Sequence, residues 1–80
     1  FNGGDLLYAF GRYQDAAEWY EQGLRYAPTY AQGWFVLGNC LAQMGVTRGA
    51  EVAYGQVLAF DRDHHDARTN LATIREWAAA

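Results

Sequence analysis

Between residues 13 and 26, Ala16, Ala17, Tyr20, Gly23 and Leu24 recur at three- and four-residue spacing, with Glu18, Glu21, Gln22 and Arg25 falling between them. That period places one apolar stripe on an α-helix and a polar face opposite it. Pro28 closes the segment, since proline removes a backbone donor and cannot continue a helix. The same spacing predicts a helix over residues 31–44, with Trp34, Leu37, Gly38 and Leu41 on one side and Gly45 just past its end. A third helix is expected from Thr47, read as its N-cap, to Phe60, with Val52, Ala53, Tyr54, Val57 and Leu58 apolar. After a polar turn over residues 61–66, a last helix of about residues 65–78 carries Leu71, Ala72, Ile74 and Trp77. Asp63 is its expected cap, and Asp66 lies near its positive end.

The helical segments repeat. Sliding the chain by thirty-four residues pairs Gly4 with Gly38, Leu7 with Leu41, Gly11 with Gly45, Ala16 with Ala50, Tyr20 with Tyr54, Gln22 with Gln56 and Leu24 with Leu58. A partial third copy sets Leu37, Gly38 and Leu41 against Leu71, Ala72 and Arg75. Trp34, Leu37, Gly38, Leu41, Ala50 and Tyr54, with Gly4, Leu7, Gly11, Ala16, Tyr20 and Pro28 in the copy before, resemble the tetratricopeptide repeat pattern of Trp, Leu-Gly, Tyr, Ala, Phe and Pro. The resemblance covers roughly residues 3–77. Leu41 replaces the usual aromatic, Arg62 the closing proline, and Arg68 the tryptophan of the last copy.

That resemblance implies an all-α fold of about five helices, in antiparallel helix-turn-helix pairs stacked as a right-handed α-solenoid. Residues 1–30 would be a first repeat lacking its N-terminal part, 31–64 a second, and 65–80 a terminal capping helix. Residues 1–10 are then the remnant of a helix, and the chain is expected to be a fragment of a longer one. Arg68 and Arg75, where a following helix would dock, suit a soluble end of the array. Gly38 costs about 1 kcal/mol of helix propensity relative to Ala. In this family a small residue there allows close approach of the next helix, expected to be its Ala50 face, so Gly38→Leu should split the pair.

Composition narrows the function classes. Half of the eighty residues are apolar and thirteen are aromatic, enough for one small core. The net charge of −3, with six Arg and no Lys, argues against a phosphate-backbone binder, so no nucleic-acid partner is expected. No run of about eighteen apolar residues suggests a membrane span. Cys40 has no partner for a disulfide and reads as a small buried residue, which suits a reducing compartment such as the cytoplasm. Arginine without lysine, with abundant Ala and Gly, is a composition of GC-rich bacterial genes.

Asp61, Asp63, His64, His65 and Asp66 carry metal-ligand chemistry, but adjacent histidines in a turn rarely aim at one ion, and a solvated, helix-capping turn is the expected role. No nucleophile–base spacing falls on adjacent faces, so neither catalysis nor a cofactor is expected. By resemblance to the family, the first helix of each pair lines a concave groove that holds a peptide or partner helix. Its expected residues are Tyr8, Gln32, Phe35, Asn39, Gln43, Thr69, Thr73 and Trp77, with Asp5 and Asp66 making acidic ends. The resemblance implies that the Asn39 amide can pair with both a C=O and an N–H of a bound backbone; a solvated Asn is the alternative. Phe35 and Tyr8 are either groove anchors or packed on neighbouring helices, and Trp77 is expected to cover the open end of the stack. Places that hold Lys, Arg and Asn in members resembling a carboxylate clamp hold Phe35, Asp66, Thr69 and Asn70 here, with no Lys in the chain, so a neutral, apolar or mildly basic peptide fits better. The expected role is a non-catalytic protein-interaction scaffold. Its rivals are self-association through open repeat faces and an accessory segment of a larger enzyme.

Overall fold

A computed structural model describes residues 2–79, which form five helices: α1 (Asn2–Ala9), α2 (Tyr13–Tyr26), α3 (Ala31–Gln43), α4 (Thr47–Phe60) and α5 (His65–Ala79). Phe1 and Ala80, included in the expected first and last segments, lie outside the described residues. Each helix packs on the next, α1 on α2, α2 on α3, α3 on α4 and α4 on α5. Connections too short to cross the length of a helix force each packed pair to run antiparallel. The result is a slab with Cα extents of 32 × 25 × 17 Å, about two helix layers thick.

The turns from α1 to α2 and from α3 to α4 are the same device. Gly11 and Gly45 both have φ of 78°, a left-handed conformation that glycine adopts without a Cβ clash. Around Gly45, its own N–H donates to Ala42 C=O at 3.1 Å and the Val46 N–H to Leu41 C=O at 2.9 Å. The Gly11 N–H donates to Tyr8 C=O at 3.0 Å and the Arg12 N–H to Leu7 C=O at 2.9 Å. These paired bonds satisfy carbonyls that a helix end would leave open. Val46 leaves one helix and starts the next at once, its C=O accepting the Ala50 N–H at 3.0 Å. Thr47 is therefore the first residue of α4 and not its N-cap, and no side chain caps that helix.

The cap of α5 also differs from expectation. The His64 imidazole, not Asp63, accepts the Ala67 N–H, at 3.1 Å through Nδ1. The turn is closed by the His64 N–H donating to Asp61 C=O at 3.2 Å, which sets His64 immediately before the helix and leaves Asp63 exposed. At the α2–α3 turn the Trp34 indole Nε1–H donates to Pro28 C=O at 2.8 Å, joining the first turn of α3 to the turn just past α2.

Two clusters make up the core. Ala16, Ala17, Tyr20, Leu24, Leu37, Cys40 and Ala53 form one. Ala50, Tyr54, Val57, Ala67, Leu71 and Ile74 form the other, and Trp34 and Leu41 pack against both. The small side chains set the helix spacing and the tyrosines fill it: Tyr20 and Tyr54 are the largest fully buried side chains, each 1 % exposed. Gly38 is approached by the Tyr54 ring rather than by Ala50, since a Cβ added there would lie 2.7 Å from Tyr54 Cε1. One period earlier, a Cβ on Gly4 would lie 2.6 Å from Tyr20 Cε2.

Candidate functional site

A tyrosine buried this deeply must find a partner for its hydroxyl, because an unmade hydrogen bond in the interior costs about 1–3 kcal/mol. Tyr54 Oη donates to Asn39 Oδ1 at 2.5 Å, and the Asn70 Nδ2 amide donates to the same Asn39 oxygen at 3.1 Å. Asn70 Nδ2 also lies 3.5 Å from Tyr54 Oη. The trio joins α3, α4 and α5. In the earlier copy Tyr20 Oη donates to the Asp5 carboxylate, and Asp5 stands one period before Asn39.

The trio lies at an open cavity of about 270 Å³ to which α1, α3 and α5 all contribute. Tyr8 comes from α1, Asn39, Ala42 and Gln43 from α3, and Asn70, Thr73, Ile74 and Trp77 from α5, with Tyr54 of α4 at the floor. The three odd-numbered helices reach one concavity because each even-numbered helix packs behind two of them. The wall has amides, hydroxyls and aromatic faces, and none of its residues is an Asp, Glu, Lys, Arg or His. Burial pushes the Tyr54 phenol up to about 12, against a smaller lowering by the Asn70 hydrogen bond. Burial likewise raises the Tyr8 phenol, helped by Cys40 and by Tyr13, whose ring meets it edge-on at 5.3 Å. Both phenols are neutral at physiological pH.

Of the groove residues expected from sequence, Tyr8, Asn39, Gln43, Thr73 and Trp77 surround this cavity. Gln32 and Thr69 are exposed and do not line it. The Thr69 C=O instead accepts the Thr73 hydroxyl at 3.1 Å. Phe35 packs with the second core cluster, its ring centroid 4.6 Å from the His64 ring and 6.0 Å from that of Tyr54. Asp5 is committed to Tyr20, and Asp66 is exposed in the first turn of α5. Trp77 is 56 % exposed at the cavity rim. Four cavity residues, Ala42, Tyr54, Asn70 and Ile74, were not among the groove candidates. Asn70 shares the α5 face of Thr73 and Trp77 through its three- and seven-residue spacing, a signal the sequence carried. Tyr54 had the signature of a core residue, and nothing in the apolar pattern points to its hydroxyl.

Elsewhere, Cys40 is fully buried and burial pushes its thiol up to about 11, so it is neither a thiolate nor accessible. Among the described residues no group of three or more His, Cys, Asp or Glu is placed to hold a metal ion. No helix among them is long and apolar enough to cross a membrane. Arg75 reaches back to Glu51 of α4 at 3.6 Å, away from the cavity.

In comparisons with known proteins, the profile of a family described as TPR repeat matches residues 4–45, more than half of the chain. No curated protein matches it.

Proposed function

The chain belongs to the tetratricopeptide repeat family, whose repeats generally mediate protein–protein interaction, and from that premise we propose that it holds an uncharged, extended segment of a partner protein in the cavity between α1, α3 and α5. The observation that carries this reading is the chemistry of the wall: amides and aromatic faces around a concavity without a charged group. Such a surface offers a neutral peptide hydrogen bonds and contact area without demanding a counter-charge. An extended segment, unlike a helix, keeps its own backbone C=O and N–H groups free to meet the amides of the wall. In this reading the chain is a scaffold without catalysis of its own, supported by Cys40 being buried and protonated and by His64 serving as a helix cap.

Selection from a displayed library of random peptides tests it, with Trp77→Ala and Gln43→Glu as cavity variants checked for fold by circular dichroism. Peptides retained by the parent chain should be uncharged at their common core and should be lost by both variants. Retention of the same peptides by both variants would mean that they bind elsewhere.

A second reading has an observation of its own. Leu6, Phe10 and Trp19 are 63 %, 76 % and 49 % exposed, whereas their counterparts one period later, Cys40, Met44 and Ala53, pack in or against the first core cluster. The outer face of α1 and α2 is thus apolar where its second copy is covered, as expected of a surface that packs on another repeat. If a second copy of the chain covers it, thermal stability rises with protein concentration; in a monomeric receptor it does not.

A further inference from the structure

We propose that His64 makes the docking of α5 sensitive to mild acid: one wall of the cavity is held in place only while this imidazole is neutral, whatever the cavity binds. A backbone N–H can only donate, so in the bond from Ala67 N–H to His64 Nδ1, 3.1 Å long, Nδ1 is the lone-pair nitrogen and the ring's proton sits on Nε2. Two further contacts set the ring for this task. The His64 backbone N–H donates to Asp61 C=O at 3.2 Å, closing the turn, and the ring centroid lies 4.6 Å from that of Phe35 on α3. Imidazole is the side chain whose ordinary proton uptake falls between about pH 5 and 8. With a proton on both nitrogens it has donors only, and the Ala67 N–H loses its acceptor. The new positive charge also stands at the end of α5 where the helix dipole is positive. The cap is therefore whole above the imidazole range and is lost as pH falls through it.

The surrounding charges do not restore the bond. Asp61, Arg62 and Asp63 in the turn and His65, Asp66 and Arg68 at the start of α5 are all exposed. Their carboxylates attract an imidazolium, but none returns a lone pair to Nδ1; they draw the ring away from the helix end. α3 has no charged residue, and on α4 nothing after Glu51 is charged. The titratable group of α4 on this side is the Tyr54 phenol, its ring 6.0 Å behind that of Phe35 and neutral throughout the range.

α5 is held from one side. It packs on α4, and Arg68, Ala72 and Arg75, which share one stripe, are exposed. Its other ties are the Asn70 amide to Asn39 at 3.1 Å and Arg75 to Glu51 at 3.6 Å, the latter between two exposed side chains. Ala67 is fully buried in the second core cluster, so the cap sits at the first core residue of the helix. A helix opens from an uncapped end, by local steps that cost less than global unfolding. Asn70, Thr73, Ile74 and Trp77, the share of the wall that α5 supplies, lie along the same helix. Tyr30 stands one period before His64 and makes no side-chain cap on α3, so acid acts on α5 and not on its counterpart.

The test is amide hydrogen exchange of the ¹⁵N-labelled chain at about pH 7.5 and about pH 5, on either side of the imidazole range, each rate divided by the intrinsic rate at that pH. Protection of Ala67 and Leu71 should fall by about tenfold in acid while that of Ala17 and Tyr20 on α2 holds. In His64→Asn, which caps without titrating, the difference should vanish; in His65→Asn it should persist. Nitrogen spectra of the parent ring should show Nδ1 unprotonated at the higher pH and protonated at the lower. Equal protection at both pH values, an equal loss in His64→Asn, or a loss that spreads evenly to α2 would overturn the proposal, and so would a proton on Nδ1 at the higher pH.

Discussion

Replacing Gly38 by alanine sets two opposed effects against each other, and the structure supplies the size of each. Alanine in a helix interior gains about 1 kcal/mol over glycine through propensity. Here its Cβ would lie 2.7 Å from Cε1, 2.9 Å from Cδ1 and 3.1 Å from Cζ of the Tyr54 ring. Carbon atoms in contact sit at about 3.5–4.0 Å, so the ring must retreat by roughly 0.8 Å. It has little room to do so, being 1 % exposed, bonded through its hydroxyl to Asn39, and faced by Phe35 at 6.0 Å. Overpacking of this kind costs about 1–3 kcal/mol, leaving Gly38→Ala destabilised by about 1 kcal/mol after the propensity gain. Gly55 is the internal reference: it is exposed within α4 and an added Cβ meets nothing within 4 Å. Gly55→Ala should therefore gain about 1 kcal/mol. Urea unfolding followed at 222 nm should separate the two variants by about 2 kcal/mol. Thermal melts should separate them by roughly 10 °C, at about 4–8 °C per kcal/mol for a domain of this size. If Gly38→Ala matches the parent chain or gains as Gly55→Ala does, the close approach of the tyrosine is not what keeps a glycine there.

Gly45→Ala and Gly11→Ala should each lose about 1–2 kcal/mol in the same urea assay, from the left-handed backbone alone, since both have φ of 78° and open space around them. Removing the α5 cap by His64→Ala should cost about 1 kcal/mol, and His64→Asn should recover most of it; amide exchange at Ala67 reports the loss directly, because its N–H is the one His64 holds. Alkaline pH should destabilise the chain in two stages. Burial raises Cys40 from 9.0 to about 11 and Tyr54 from 10.0 to about 12, so the folded state favours both neutral forms. That contribution is whole below the unfolded values and is lost as pH rises through the folded ones. In Cys40→Ala the slope of stability against pH between about 9 and 11 should flatten, whatever the mutation does to the overall level. An unchanged slope would place the effect on other groups.

The helices and the repeat were legible in the sequence because burial leaves a periodic trace. Ala16, Ala17, Tyr20 and Leu24 mark α2, Ala50, Ala53, Tyr54 and Val57 mark α4, and all are buried. Gly11 and Gly45 marked the turns because only a left-handed glycine closes them so tightly. The cap of α5 was not legible, because three aspartates and two histidines stand within six residues and only the closed turn decides which sits before the helix. The N-cap of α4 misled for a related reason: Thr47 has the right side chain, but the N-cap place falls to Val46, whose C=O accepts the Ala50 N–H. At the cavity, Asn39, Gln43, Thr73 and Trp77, which the family resemblance put on the groove side, all line the wall. Spacing could not separate Phe35, which lies on the same helix but packs against His64. Hydrophobic patterning also treats tyrosine as apolar, so it hides where the hydroxyl goes.

That hydroxyl connects helix packing to the chemistry of the concave face. A glycine at 4 or 38 admits a buried tyrosine at 20 or 54, and the buried tyrosine then requires an acceptor on the residue after the glycine, which is Asp5 in one copy and Asn39 in the other. Folding constrains only the acceptor oxygen at that place. Whether the other end of the side chain is a second oxygen or an NH₂ makes no difference to the tyrosine, and that is the end which faces solvent. Thr73, one period after Asn39, receives no tyrosine hydroxyl among the described residues and turns its own to the Thr69 carbonyl. The three equivalent places thus carry a carboxyl group, an amide and a hydroxyl on one repeated backbone. Half of one side chain can therefore change at that place without touching the bond that holds the helices together.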